Sequence, residues 1–280
     1  MKTSSLLPRF IPVLLASLCL AASAQAASSL QQDLAPILAG SQRSDVNKAR
    51  DQYRHPVQTL EFFGVTPSQT VIEITPGGGW YTELLAPLLQ DKGQYIAAVF
   101  SSSGMAERAA ENNTKRNASF ADKLKKDPAH YSKAKVVEFD SKAPSFGAPE
   151  SADVVLTFRN VHNWAANNTY AAMFKGMFAV LKPGGVLGVV DHRADKAHDY
   201  KKAVELGYLP EEWVIAEAEK AGFKLDAKSD VNNNPKDTKN YAEGVWTLPP
   251  VLALKEQDKA KYLAIGESDR FTLRFVKPKK

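Results

Sequence analysis

Residues 70–89 read TVIEITPGGGWYTELLAPLL, and this stretch decides the fold. The β-branched run Val71–Ile74 predicts a short strand that is buried on both faces, as the strands of a parallel sheet are. Three glycines follow at Gly77–Gly79, and from Trp80 onward the leucines recur at the spacing of a helix. A strand, a glycine turn and a helix in this order form the beginning of a nucleotide-binding βαβ unit.

The glycine turn is the first indication of a ligand. Glycines reach left-handed backbone conformations freely, and the N-terminus of the next helix offers unpaired N–H groups to a carboxylate or phosphate. The spacing Glu73-x-Thr75-x-Gly77-x-Gly79 resembles the first motif of the class I S-adenosylmethionine (SAM) dependent methyltransferases, with Thr75 in place of the first glycine. In that family the turn wraps the methionine part of SAM. The resemblance implies cofactor contacts from Glu73, Thr75, Pro76, Gly77, Gly78, Gly79 and Trp80.

Strands alternate with helices along the rest of the chain. Further strands are predicted at Gly93–Phe100, Ala134–Asp140, Ala152–Phe158, Val186–Asp191, Phe223–Lys228 and Arg270–Val276. A helix over Ser103–Lys126 is predicted to break near Asn117, and the sequence KPGG at 182–185 is predicted to stop another helix. The alternation predicts one α/β domain with a doubly wound, Rossmann-like sheet. The resemblance implies seven strands, mostly parallel, with an antiparallel last strand.

The closest resemblance is to a group of exported bacterial proteins described as predicted methyltransferases. It rests on motifs spread over most of the chain: Arg54-His55-Pro56, PGGGWYTELLAP, Phe158-Arg159-Asn160-x-His162, Asp191-His192-Arg193, Asn234-Pro235-x-Asp237 and Asp269-Arg270-Phe271. We expect a signal peptide at 1–26, an N-terminal helical cap at 27–65 and a methyltransferase domain at 66–280. An insertion at 230–268 is expected to close over the cofactor site as a lid, because long ordered insertions are commonly functional.

The first 26 residues have the pattern of a secretory signal. Lys2 and Arg9 place positive charge at the start, Phe10–Ala22 is mainly apolar, and Ala24-Gln25-Ala26 has the form of a cleavage site. The protein is therefore predicted to be exported, to the periplasm or beyond. The single cysteine, Cys19, lies inside this segment, so the mature protein would contain no cysteine. Thiol catalysis, disulfides and cysteine metal sites would then be excluded.

Bulk composition restricts the class of partner. The chain has 280 residues, 44% of them hydrophobic and 24% charged, which fits an ordinary globular protein. The formal net charge is +5, and without residues 1–26, which hold Lys2 and Arg9, it is 34 basic against 31 acidic residues, or +3, which is too small to indicate nucleic-acid binding. No later run is long and apolar enough for a membrane helix, so no membrane association is expected after signal cleavage. The expected partner is a small-molecule methyl acceptor, and the sequence does not predict the oligomeric state.

Candidate site residues follow the predicted strands, because ligands of doubly wound sheets lie outside the carboxyl ends of the strands. Asp140 and Asn160 are expected to contact the cofactor. His162 is the first candidate for a catalytic base, with Asp191 and His192 next, because imidazole titrates near neutral pH. Acceptor contacts are assigned to Tyr53, Arg54, His55 and Trp164.

Each of these assignments has a simpler alternative. Asp140 could only cap a turn, and the sequence around Asn160 could be turn chemistry. Asp191-His192-Arg193 could be an ion-paired start of a loop. The two histidines and Asp191 could together hold a metal ion, but nothing in the sequence fixes their spacing, so no metal is predicted.

The second predicted strand departs from the resemblance. Class I methyltransferases usually end this strand with an acid that binds both ribose hydroxyls, and dinucleotide folds have a similar acid. Here the strand ends in Val99-Phe100-Ser101, without a carboxylate. Ser101 or Ser102 could replace that acid, and Phe100 could stack on adenine.

Three functions remain open from the sequence. The first is SAM-dependent methyl transfer, in which the site aligns a nucleophile with the methyl group and excludes water. The second is a non-catalytic binding or sensing module on the same fold, favoured by the missing acid and by export away from the compartment that makes SAM. A dinucleotide oxidoreductase is disfavoured, because the chain lacks both that acid and a full Gly-x-Gly-x-x-Gly motif.

Overall fold

The computed structural model describes residues 29–279, which form one seven-stranded sheet in the order β3-β2-β1-β4-β5-β7-β6. The strands are β1 Thr70–Ile74, β2 Gln94–Phe100, β3 Lys135–Phe139, β4 Ala152–Phe158, β5 Leu181–His192, β6 Lys224–Ser229 and β7 Arg270–Val276. The pairs β1–β2, β1–β4, β2–β3 and β4–β5 are parallel, whereas β7 runs antiparallel to both β5 and β6. This confirms the predicted doubly wound sheet with an antiparallel last strand.

Helices cover both faces of the sheet. They are α1 at 29–39, α2 Asp45–Lys48, α3 Asp51–Arg54, α4 Pro56–Phe62, α5 Thr82–Leu89, α6 Glu107–Lys126, α7 Pro128–Tyr131, α8 Val161–Ala166, α9 Tyr170–Val180, α10 Tyr200–Glu205, α11 Glu211–Lys220 and α12 Lys259–Ile265, with a 3-10 helix at Gly244–Thr247. Ile72 of β1 belongs to the apolar cluster that contains Met177 of α9. Its neighbour Val71 belongs to the opposite cluster, with Leu34 of α1 and Leu84 of α5. Alternate residues of one strand therefore anchor two apolar layers.

Most strand bounds lie within one residue of the prediction, and two elements differ more. Helix α6 continues through Asn117, because the side-chain amides of Asn113 and Asn117 both donate to the carbonyl oxygen of Phe100 and so join the helix to β2. Strand β5 begins five residues before Val186, because Leu181 pairs with Ala152 of β4 and backbone bonds join residues 184 and 185 to Lys277.

The N-terminal helices α1–α4 pack on the sheet face that carries α5, and they place polar residues beside the turn after β1. Within residues 29–279, no helix combines the length and the apolar composition needed to cross a bilayer. The predicted signal peptide at 1–26 lies outside the described residues. The division into a cap and a methyltransferase domain stays a prediction.

Candidate functional site

A cavity of about 300 Å³ opens at the carboxyl ends of β1 and β4. Eight residues that the sequence assigned to the site line it: Arg54, Glu73, Thr75, Pro76, Gly77, Gly78, Trp80 and Asn160. Six further lining residues were not assigned to it: Asn47, Arg50, Tyr81, Phe158, Arg159 and Pro250. Parallel strands β1 and β4 are neighbours on either side of the point where the strand order reverses, which is where doubly wound folds bind ligands.

A larger groove of about 520 Å³ lies at the opposite edge of the sheet, beside Glu150, Phe178 and Lys277. It is lined by several prolines and by the chain that follows β7. The amino group of Lys277 is already bonded there to the carbonyl oxygen of Leu181. Because this groove lacks converging free polar groups, we place the site in the smaller cavity.

The glycine turn leaves space for a ligand. A Cβ atom added at Gly77 or Gly78 would meet no heavy atom within 4 Å. The backbone N–H groups of these two glycines donate to no acceptor among residues 29–279, and the buried hydroxyl of Thr75 also has no partner there. Free donors, a free hydroxyl and open space at one turn fit the methionine part of SAM.

Thr75 keeps the backbone conformation that a glycine would adopt in the motif. Its φ is +53°, in the left-handed region, and its N–H donates to the carbonyl oxygen of Ala98 at 2.8 Å. Such a conformation costs a non-glycine residue roughly 1–3 kcal/mol and persists only where the surroundings enforce it. The side-chain amide of Asn160, which donates to the carbonyl oxygen of Ile74 at 2.9 Å, supplies part of that restraint. The threonine therefore replaces the first glycine without changing the course of the turn.

Glu73 lines the cavity, but its carboxylate is committed to neighbouring side chains. It accepts hydrogen bonds from the hydroxyl of Tyr95 at 2.6 Å and from that of Thr82 at 3.0 Å. Burial raises the pKa of Glu73 to about 7. On the outer side of the turn, the amino group of Lys123 donates to the carbonyl oxygen of Gly78 at 3.0 Å, which ties the turn to α6.

Trp80 joins the turn to the N-terminal helices. Its indole N–H donates to the carbonyl oxygen of Asn47 at 2.9 Å. The guanidinium carbons of Arg43 and Arg54 lie 5.2 and 4.7 Å from the centre of its ring, which places both cations against the aromatic face. The helical region before β1 thus forms one wall of the cavity.

Three arginines converge on Glu267, a residue that the sequence analysis did not single out. Arg50 Nε, Arg54 Nε and Arg270 Nη1 lie 2.7, 3.0 and 3.0 Å from its carboxylate oxygens. Burial alone would raise the pKa of Glu267, but the charges of Arg270, Arg54 and Arg50, with a smaller effect from Arg159, outweigh burial and lower it to about 2. Burial lowers the pKa of Arg54 to about 9, against the opposing effect of Glu267.

Arg159 lines the same cavity without a carboxylate partner. Its backbone is left-handed, with φ +62°, and the hydrogen bond recorded for its side chain runs from Nε to His192 Nε2 at 3.4 Å. Within residues 29–279 it forms no ion pair. Burial lowers the pKa of Arg159, and the charge of Glu267 opposes this effect. Its sequence position directly after strand four was a usable signal, because that position falls on the carboxyl edge of the sheet.

The three predicted catalytic residues meet behind Arg159 and do not line the cavity. Nδ1 of His162 is 2.8 Å from Asp191 Oδ1, and the ring centres of His162 and His192 lie 5.0 Å apart. Nδ1 of His192 is 2.5 Å from the hydroxyl oxygen of Ser268. Burial, together with His162 and Arg159, holds the pKa of His192 well below its usual range, so this imidazole is neutral at pH 7.

This trio could also be considered as a metal site, since one potential ligand atom from each residue lies within 4.8 Å of the others. Nε2 of His192 accepts from Nε of Arg159, and the Nδ1 atoms of the two histidines are hydrogen bonded to Asp191 and Ser268. The adjacent guanidinium of Arg159 also opposes a cation here. That the site holds no metal stays a prediction from the sequence.

Two residues assigned to the adenosine part of SAM lie away from the cavity. Asp140 is exposed and accepts a hydrogen bond from the backbone N–H of Lys142 at 2.8 Å, which is the simple turn-capping role. Phe100 packs on Phe139, with ring centres 4.7 Å apart. Ser101 accepts a hydrogen bond from the N–H of Ser103, so its hydroxyl takes part in the local turn.

Four other assigned residues do not line the cavity either. Trp164 is buried in the core against Phe174, with ring centres 6.3 Å apart, because α8 turns it away from the sheet edge. Gly79, with φ +79°, closes the turn by donating its N–H to the carbonyl oxygen of Pro76. Tyr53 lies against Gly266, and His55 forms the left-handed junction between α3 and α4. The motif around residues 53–55 thus supplies Arg54 alone to the cavity.

The insertion at 230–268 contributes residues to the site. Pro250 lines the cavity, and Glu267 forms ion pairs with Arg54 of α3 and with Arg50, the N-cap residue of that helix. The ring of Trp246 lies 6.2 Å from that of His162. The segment is therefore a wall of the site, and its closure as a lid stays a prediction.

Comparison with known proteins agrees with this geometry. Residues 72–189 match a family model described as a methyltransferase domain. The chain is similar in structure to a SAM-dependent methyltransferase from Aquifex aeolicus, with a TM-score of 0.53 and 15% identity over 90% of this chain and 98% of that one. The fold is that of the SAM-dependent methyltransferases.

A second solved structure with this methyltransferase fold limits what the fold can say about chemistry. The cyclase SpnF matches with a TM-score of 0.54 and 15% identity, over 81% of each chain. No curated protein matches the chain significantly. Because one of these neighbours is named a cyclase, the reaction has to be argued from the site itself.

Proposed function

We propose that this protein is an exported methyltransferase that moves a methyl group from SAM to a small-molecule acceptor. The observation that carries the proposal is the open glycine turn, with free N–H groups at Gly77 and Gly78 and a free buried hydroxyl at Thr75. SAM supplies an electrophilic methyl group on a sulfonium. These three residues would hold its methionine part.

The other cavity residues align the reactants and exclude water. Trp80, Tyr81 and Phe158 give an apolar wall, in which the rings of Tyr81 and Phe158 stack with centres 3.5 Å apart. Methyl transfer needs a base only when the nucleophile carries a proton. For such a nucleophile His162, oriented by Asp191, is the proposed base, although it lies one layer behind the cavity wall. Alignment and desolvation are therefore the main proposed contributions of the site.

A non-catalytic binding module remains the second candidate. The specific observation in its favour is the absence of a carboxylate at the end of β2 in the described residues, where ribose would be held. Both candidates require the cofactor or its product to bind at the glycine turn, so binding is the first property to measure.

The test is calorimetric titration of the purified exported protein with SAM and with S-adenosylhomocysteine (SAH). We expect both to bind, and Gly78→Val to weaken binding at least tenfold, because the branched side chain fills the open space at the turn. Gly78→Ala is the matched control, with a smaller loss, and thermal unfolding should show both variants folded. Failure of the wild type to bind either ligand would refute the proposal. Binding without turnover over a broad acceptor panel would favour the binding module.

A further inference from the structure

Arg159 differs from the other arginines that line the cavity. The guanidinium groups of Arg50 and Arg54 are both bonded to Glu267, whereas that of Arg159 has no carboxylate partner within residues 29–279. A charged side chain inside a cavity is costly unless it is paired. The described residues thus give this cation no ion pair, and the main carboxylate charge acting on it is that of Glu267, which is bonded to other arginines.

The side chain of Arg159 is fixed in a way that keeps its outer nitrogens available. Its Nε donates to Nε2 of His192, which is neutral and can accept, and Nδ1 of that histidine is held by the hydroxyl of Ser268. The Nη1 and Nη2 groups have no partner in the described part of the chain, and neither is buried without access to the cavity. Two N–H groups in a planar fork match the two oxygens of a carboxylate or phosphate.

No protein carboxylate at the site is free to take that position. Glu267 is shared by three arginines, Asp191 is bonded to His162, and Glu73 accepts from Tyr95 and a threonine hydroxyl. A bound anion is therefore the partner that the free Nη groups of Arg159 fit. SAM brings one carboxylate, and a methyl acceptor can bring another.

We propose that Arg159 binds an oxyanion of the methyl acceptor, so that the acceptor is a small organic carboxylate or phosphate ester. This rests on the proposed function, in that it takes the cavity to hold SAM and an acceptor together. The acceptor is assigned the anion because the free donors for the methionine part of SAM lie on the glycine turn, at Thr75–Gly78, on a different strand end from Arg159.

The experiment titrates inorganic phosphate and malonate into the protein, alone and saturated with SAH. The wild type should bind at least one of the two anions in the presence of SAH, and the preferred one distinguishes a phosphate from a carboxylate acceptor. Arg159→Gln should weaken this binding about tenfold or more, as expected for the loss of a charge-assisted pair of hydrogen bonds. The matched control is Arg274→Gln, whose arginine pairs with Asp226 and does not line the cavity; it should change anion binding less than about twofold.

The affinity for SAH shows whether Arg159 binds an anion of the acceptor or the carboxylate of the cofactor. Under the proposal, Arg159→Gln leaves SAH binding within about twofold of the wild type. If SAH binding falls instead and no anion binds the SAH complex of the wild type, Arg159 serves the cofactor carboxylate and the proposal is wrong. If the protein binds no SAH at all, the proposed methyl transfer fails. Anion binding that still depends on Arg159 would then support an anion site in its own right.

A folding control completes the test. Thermal unfolding should place Arg159→Gln near the wild type, because glutamine adopts the left-handed backbone of this position as readily as arginine does. If that variant does not fold, Arg159→Lys keeps the charge but loses the fork, and it should bind the anion severalfold more weakly than the wild type. Unchanged anion binding in Arg159→Lys and in any folded glutamine variant would overturn the assignment.

Discussion

Glu267→Gln should destabilise the protein by about 3 kcal/mol at neutral pH. The carboxylate is buried and bonded to Arg50, Arg54 and Arg270, and these contacts lower its pKa from 4.5 to about 2. A shift of that size corresponds to roughly 3 kcal/mol of stability, at about 1.4 kcal/mol for each pKa unit. Removing one partner of a buried ion pair typically costs about 3–5 kcal/mol, which agrees with the pKa shift.

The pH dependence of this effect has a defined sign. The folded-state pKa of Glu267 is depressed, so its contribution is fully present above pH 4.5 and is lost as the pH falls towards 2. The difference in unfolding free energy between wild type and Glu267→Gln should therefore be largest at pH 5–7 and should shrink below about pH 4.5. Glutamine does not titrate, so the change with pH belongs to the wild type.

Equilibrium urea unfolding at several pH values measures both quantities. The control is Asp226→Asn, which removes a carboxylate from a half-exposed pair with Arg274 at 3.0 Å and should cost less than about 1 kcal/mol. A loss below about 1 kcal/mol for Glu267→Gln at pH 7 would refute the view that Glu267 holds the arginine cluster together. A difference that stays constant down to pH 3 would refute the link between that stability and the carboxylate charge.

The remaining predictions concern the insertion, the N-terminus and the support of the glycine turn. SAH should protect sites within Asp230–Ser268 from limited proteolysis, and equal cleavage rates with and without bound SAH would exclude closure of the lid. Amino-terminal sequencing of exported material should begin at or near Ala27, and a longer, lipid-bearing N-terminus would contradict this. Lys123→Met should destabilise the protein by about 1–3 kcal/mol and weaken SAH binding, because it removes the bond to the Gly78 carbonyl and leaves the buried Glu83 without its closest cation. Urea unfolding measures the stability and calorimetry the SAH affinity, and wild-type values for both would contradict the prediction.

The fold could be predicted because its determinants are local. The run Val71–Ile74, the glycines and the leucines of α5 are contiguous, and the predicted bounds of β4 and β7 match the structure to the residue. Long-range pairing decided what the sequence could not predict. Arg50 and Glu267 are separated by 217 positions, and no periodicity joins them. The extension of β5 before Val186 likewise depends on its pairing with Ala152 and its bonds to Lys277.

The site residues also divide into those that the local sequence places and those that tertiary packing places. The turn residues Thr75–Gly78 line the cavity, since their place is set by the strand that precedes them. Trp164 follows the right strand, but it belongs to a short helix whose rotation is set by tertiary packing, and this rotation buries it. Arg159 lay within a recognised motif, yet its importance depends on which nearby carboxylates are already paired. Such a balance of partners is a property of the assembled site alone.

Under the proposed function, the charges of the cavity couple the affinity for SAM to the affinity for an anionic acceptor. SAM carries a sulfonium, an ammonium and one carboxylate, so it is a net cation entering a cavity lined by Arg50, Arg54 and Arg159, with Glu267 already shared among three arginines. Opposite charges within a few ångströms stabilise each other strongly in a site shielded from water. An anionic acceptor at Arg159 would relieve the repulsion between the arginine and the sulfonium, so acceptor anion and SAM should each raise the other's affinity. SAH has lost the sulfonium charge and should show a weaker coupling. If the site holds SAM and an anionic acceptor as proposed, Arg159, which forms no ion pair within residues 29–279, gives a physical reason for the two to bind together and to leave more easily once the methyl group has moved.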